Sequence, residues 1–204
     1  MTFYSDGESH YSHRVRIVLA EKCVSVETID VDPNKKPEDL AILNPYNTLP
    51  TLVDRDLVLY KADIIMEYLD ERFPHPPLFP IYPVLRAKSR LWIYRINQDW
   101  CTLVDKLMTH KKPPPKQMEQ TRKELRESLI AISPIFREKP YFMSDEFTIV
   151  DCCVAPILWR LPHMGVDLGR SKAAMPLLAY RNRLFERDSV RASFSEQEKE
   201  MVVA

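Results

Sequence analysis

Phe73-Pro74-His75-Pro76-Pro77-Leu78-Phe79-Pro80-Ile81-Tyr82-Pro83 carries five prolines in eleven residues. Proline fixes φ and removes an amide donor, so such a run is neither helix interior nor central strand. It reads as a stiff, extended, surface-borne segment that presents one histidine on a rigid frame. A flexible connector would be rich in Gly and Ser instead. Two readings stay open from these residues: an interdomain spacer, or a preformed docking surface for another protein. The stretches on either side follow different periodicities.

Before the prolines the pattern alternates between strand and helix. Thr2–Ser5 reads as a strand closed by turn chemistry at Asp6-Gly7. Tyr11, Val15, Val18 and Leu19 lie at i, i+4, i+7 and i+8, one helical face. Val24–Val31 is β-branched and predicts a second strand, and Pro37–Leu43 a short helix that starts near a proline. Thr51-Leu52-Val53 and Leu57–Tyr60 flank Arg55-Asp56, which predicts a hairpin. Ile64, Ile65, Tyr68 and Leu69 mark a third helix ending before Pro74. The order is β-α-β-α-β-β-α.

After the prolines every pattern is helical. Val84–His110 predicts one long helix with Leu91, Trp92, Ile96, Trp100, Leu103, Val104 and Leu107 inward. Pro113-Pro114-Pro115 breaks the chain. Lys116–Glu138 follows, with Leu125, Leu129, Ile132 and Phe136 on one stripe, a Glu119/Lys123 pair outside, and a kink or stop at Pro134. Thr148-Ile149-Val150-Asp151 is a capping box ahead of Val150, Cys153, Val154, Ile157, Leu158 and Leu161. This helix is expected at the centre of the helical domain, with Pro156 an unexplained violation inside it. Helices over Ala173–Glu186 and Ser189–Glu200 close the chain. The expected division is an α/β domain over residues 1–73, a linker over 74–83 and an all-helical domain over 84–204.

Composition removes several classes of function. Lys+Arg and Asp+Glu stand at 29 each, against the basic excess of a dedicated nucleic-acid binder. Arg86, Lys88, Arg90 and Arg95 read as the solvated face of a helix rather than a DNA-binding surface. The three glycines, Gly7, Gly165 and Gly169, build neither a P-loop nor a dinucleotide fingerprint. Cys23, Cys101, Cys152 and Cys153 form no C-x-x-C and no metal spacing, and no third ligand joins His10 and His13. No metal and no cofactor is expected. Neither a signal peptide nor a membrane span is legible, so a cytoplasmic protein with reduced thiols is expected.

The element order, the proline-bearing connector and the T-x-x-D box together resemble the glutathione S-transferase fold, over essentially the whole chain. Asn44-Pro45-Tyr46-Asn47-Thr48-Leu49-Pro50-Thr51-Leu52 matches the stretch where thioredoxin-like folds carry a cis-proline before the third strand. The resemblance therefore implies an α/β thioredoxin-like N-terminal domain with an all-α C-terminal domain. Longer strings are similar to one branch, the stringent starvation protein A family. They are Tyr11–Lys22, Met66–Leu78, Ser144-Asp145-Glu146, Val150-Asp151-Cys152, Leu158–Pro162 and Phe185–Ser189. Members of that branch associate with bacterial RNA polymerase and alter transcription under starvation and stress. The resemblance implies a non-enzymatic, homodimeric regulator that binds RNA polymerase holoenzyme. Pro74, His75 and Pro76 would be its functional surface, extended by Pro77 and Tyr82, with Phe79 adding apolar area. No sequence-specific nucleic-acid contact is implied.

The alternative is a glutathione S-transferase that activates thiol with Tyr11 or Ser12, at the start of the first helix. Tyr11 also lies on the apolar stripe, and Ser12 is a candidate cap. The fold's Glu/Gln-Ser pair, which holds the γ-glutamyl group, is replaced by Lys61-Ala62. Lys61 repels the glutathione ammonium and Ala62 has no hydroxyl. A lost hydrogen bond to a charged group is worth about 1.5–3 kcal/mol, so a tenfold or larger loss of affinity is expected. Tyr11, Ser12, Leu49, Pro50, Lys61 and Ala62 then form a vestigial glutathione site. A glutaredoxin-type role fares worse, because no cysteine stands at the start of the first helix.

Overall fold

Alternation in β1 (Thr2–Ser5) turns Phe3 and Ser5 inward, and Phe3 pairs with Thr28 on one side and Leu52 on the other. A computed structural model describes residues 1–109 and 113–201. Its sheet has the order β2-β1-β3-β4. β2 (Glu27–Asp30) runs parallel to β1, whereas β3 (Thr51–Asp54) and β4 (Leu57–Tyr60) form an antiparallel hairpin on the other edge. α1 (His10–Glu21), α2 (Glu38–Leu43) and α3 (Ala62–Arg72) complete the thioredoxin-like order, and α1 packs against α3. β2 is shorter than the predicted Val24–Val31 because the Val24 N–H bonds back to Leu19. The first residues of that run close the end of α1 instead of joining the sheet.

The remaining elements are helices, so the all-helical half of the expected fold stands. α4 (Pro83–Arg95) leads through a π-helical turn, Ile96–Cys101, into α5 (Thr102–Met108). The predicted unbroken helix is therefore interrupted, and its last residue, His110, lies outside the described residues. Ile93 rather than Leu91 is buried in α4. Two positions rotate a side chain by about 200° around a helix, so only one of the pair can face the core. Trp92, expected inside, is half-buried with its ring edge-on to Phe142 at 4.9 Å.

α6 (Pro115–Ala131) stops before Pro134, which begins the short α7 (Ile135–Glu138). Leu125, Leu129 and Phe136 are buried as expected, and Ile132 is half-buried. Glu119 pairs with Arg122 and Lys123 with Glu127, in place of the predicted Glu119/Lys123 contact. α8 (Ile149–Arg160) runs unbroken through Pro156, whose carbonyl accepts from the buried Arg160 guanidinium at 3.0 Å. α9 spans Met175–Glu186.

The last predicted helix is two. α10 (Asp188–Ala192) and α11 (Glu196–Glu200) are separated where Ser195 and Glu198 form a second capping box. Ser195-x-x-Glu198 carries the same signature as Thr148-x-x-Asp151 and was readable in the sequence. The chain divides into two units, residues 1–79 with 188–201, and residues 80–187. The tail thus belongs to the α/β unit, where α10 packs on α1. Glu198 is fully buried there and binds Arg16 at 2.7 Å and His13 at 3.1 Å. Among the described residues no helix is long and apolar enough to cross a membrane.

Candidate functional site

α3 separates two candidate sites of the α/β unit. Its eleven residues span about 16 Å at 1.5 Å per residue. Lys61 and Ala62 stand at its start, and the proline segment leaves its end.

At the start of α3, Lys61 has φ of 75° and caps the helix without a side-chain bond. Its ammonium is exposed and Ala62 is buried. The Leu49–Pro50 bond is cis, as the resemblance implied, and Pro50 is buried directly ahead of β3. Tyr11 lies half-buried in the first turn of α1, its ring 3.9 Å from that of His10 and 5.2 Å from the Arg14 guanidinium. Ser12 is not the cap of α1. Ser9 is, its hydroxyl accepting from the Tyr11 and Ser12 amides. Ser12 is fully buried, and its hydroxyl oxygen accepts the Asp6 N–H at 3.1 Å. Ser9 precedes the first apolar residue of the stripe, the position where an N-cap is expected.

The cysteines sit elsewhere. Cys101, Cys152 and Cys153 are buried free thiols, and Cys23, exposed, follows the end of α1. A carboxyl-terminal helix end disfavours a thiolate. Among the described residues no group of three His, Cys, Asp or Glu side chains is placed to hold a metal ion.

At the end of α3 the geometry is built differently. Pro74, His75, Pro76 and Pro77 are exposed, and the His75–Pro76 bond is cis. Leu78 and Phe79 then turn inward, at 2% and 5% exposure. Phe79 therefore anchors the segment and adds no apolar area to its outer surface, contrary to expectation. Asp70, in the last turn of α3, receives the Leu78 N–H at 2.7 Å on one carboxylate oxygen and the Phe79 N–H at 3.1 Å on the other. The Lys22 ammonium approaches the same carboxylate at 2.6 Å and also donates to the Pro76 carbonyl. Sequence reading passed over Lys22 and Asp70. The signal was present: each is a charged residue flanked by the apolar stripe of its helix, and a charge on a buried face needs a partner.

Tyr82, in the helical unit, is the first cap of α4 and is 73% exposed. Along α4, Lys88, Arg90 and Arg95 are exposed, and Arg95 pairs with Asp99 and lies over the Trp92 ring.

Two family models divide the chain between them. Glutathione S-transferase, N-terminal domain, matches residues 3–77, and Glutathione S-transferase, C-terminal domain, matches residues 98–188. The Tau class glutathione S-transferase from mango, Mangifera indica, superposes with a TM-score of 0.84 at 22% identity, over 99% of this chain and 96% of that one. The class is thus the glutathione S-transferase fold. Finer similarity comes from the stringent starvation protein A homolog of Coxiella burnetii, 53% identical over 98% of this chain and 94% of the relative. The homolog of Pasteurella multocida is 56% identical over 93% and 87%. The chain belongs to the stringent starvation protein A family.

Proposed function

We propose that this protein is a non-enzymatic transcription regulator that docks on RNA polymerase holoenzyme under starvation, stationary-phase or acid stress. It acts in the cytoplasm as a homodimer, without sequence-specific contact to nucleic acid. Pro74, His75, Pro76 and Pro77 are the docking residues, with Tyr82 as a further contact. The observation that carries the reading is the build of the segment after α3. Its prolines and His75 face solvent while Leu78, Phe79 and the Asp70 bonds hold it in place. A preorganised exposed segment loses little conformational entropy on binding. Rings of proline with an imidazole tip suit a protein partner, which reads apolar area and a few polar groups together. The names of the relatives, which refer to starvation, favour the stress setting.

The glutathione corner supports the same reading. Lys61 and Ala62 lack the groups that would hold the γ-glutamyl end, and the Ser12 hydroxyl is buried against the Asp6 amide. Affinity retention of polymerase from stationary-phase lysate tests the proposal. The wild-type chain retains holoenzyme, and the Pro74→Ala/His75→Ala/Pro76→Ala variant, with unchanged circular dichroism, does not. A folded triple variant that still retains polymerase moves the docking surface elsewhere. Retention of the wild type on glutathione resin without polymerase overturns the reading in favour of a transferase.

A further inference from the structure

We infer that the buried Lys22–Asp70 pair holds the proline segment in its docking conformation, which makes Lys22 and Asp70 positioning residues for partner binding. The inference rests on the docking reading above. Both side chains are withdrawn from solvent, at 0% and 8% exposure. Burying two charges is costly, and a pair that only joined α1 to α3 could be replaced by apolar side chains without loss. What apolar side chains cannot supply is the segment's hydrogen bonds. Four of residues 74–80 are proline, so only His75, Leu78 and Phe79 own an amide N–H. Two of those three donate to Asp70. The Lys22 ammonium takes the Pro76 carbonyl from the other side. A segment that cannot form a ladder of its own is thus pinned at three backbone groups by one ion pair.

The location of the charges agrees. Lys22 caps the C-terminal end of α1, where the helix dipole favours a cation. Asp70 sits in the last turn of α3, where the dipole disfavours an anion. Nothing in α3 itself calls for a carboxylate there, whereas the two amides of the segment do.

The test compares the full-length wild type, Lys22→Met, and Lys22→Met/Asp70→Asn. Amide hydrogen exchange at Leu78 and Phe79 reports the segment, and titration of purified holoenzyme reports docking. In Lys22→Met, protection at those two amides falls while amides of the sheet keep theirs. Polymerase affinity falls about tenfold if the docking conformation drops to a tenth of the population. The double variant carries no uncompensated buried charge and shows the same affinity loss, so the comparison survives if the single variant fails to fold. Unchanged protection overturns the pinning role. Lost protection with unchanged affinity overturns the positioning role and leaves polymerase docking standing. If the wild type itself does not bind polymerase, the docking reading fails and the positioning role with it. The exchange data, taken without polymerase, then decide the pinning role separately.

Discussion

Asp70 and Asp151 are both buried carboxylates on helices, and they do opposite work. Asp151 lies in the first turn of α8, where the dipole favours an anion, and all its partners are neutral. It accepts the Thr148 N–H at 2.8 Å, the Thr148 hydroxyl at 2.9 Å, the Phe142 N–H at 2.9 Å and the Tyr180 hydroxyl at 2.6 Å. Burial pushes the Asp151 carboxyl up from its ordinary range against these bonds, and burial beside Asp151 pushes the Tyr180 phenol well above its own. Asp70 lies in a last turn, has an ammonium beside it, and gives its other bonds to a segment whose outer surface is exposed. The difference teaches that burial alone does not mark a carboxylate as structural. What the carboxylate holds decides that: core elements around Asp151, a solvent-facing segment beside Asp70.

The largest effect should come from Asp151→Ala, which leaves four donors without their acceptor. A loss of about 3 kcal/mol is expected in chemical denaturation. A loss below about 1 kcal/mol would mean that water replaces the carboxylate, and the two aspartates would no longer differ as argued. The second effect is one of pH. A carboxyl raised in the folded state contributes stability that is present below its unfolded pKa and is lost as pH rises through the folded value. The advantage of wild type over Asp151→Asn should therefore grow on acidification from pH 7, by up to about 1.4 kcal/mol per pH unit. An advantage that shrinks on acidification would refute the raised pKa.

The other end of α3 offers the third comparison. Lys61→Glu/Ala62→Ser supplies the missing pair and should raise glutathione affinity by about tenfold, or about 1.4 kcal/mol, in a calorimetric titration. Conjugation activity should stay absent, because the Ser12 hydroxyl remains engaged by Asp6. Turnover in that variant would show the corner to be inactive for want of these two side chains alone. The smallest effect concerns an exposed carboxylate. Asp145 meets Lys139 at 2.5 Å, closer than Lys22 meets Asp70, yet is 73% exposed. Asp145→Asn should cost under about 0.5 kcal/mol by thermal melting, since solvent screens the pair.

Much of the site was legible in the primary structure. Prolines declare their own backbone limits, so the exposed run Pro74–Pro77 followed from composition alone. Lys61-Ala62 was legible because a missing hydroxyl and a reversed charge are visible as letters. Ser12 was misread, since Ser9 and Ser12 are both good caps and only the packed helix start shows which hydroxyl meets the free amides. Lys22 and Asp70 went unread for a different reason. They are far apart in sequence, and no local pattern reports that two charges on different helices converge on one carbonyl and two amides.

The sequence by itself determined the order of elements, the cap at Thr148–Asp151, the halves of the fold and the stiffness of the proline segment. Each of these depends on periodicity or on the covalent limits of single residues, which act within a few positions. The tertiary structure alone decided the inward turn of Phe79, the return of 188–201 to the α/β unit, and the partnership of Lys22 with Asp70. Those outcomes rest on which buried groups find donors and acceptors across long stretches of chain. That competition is settled only when the elements pack.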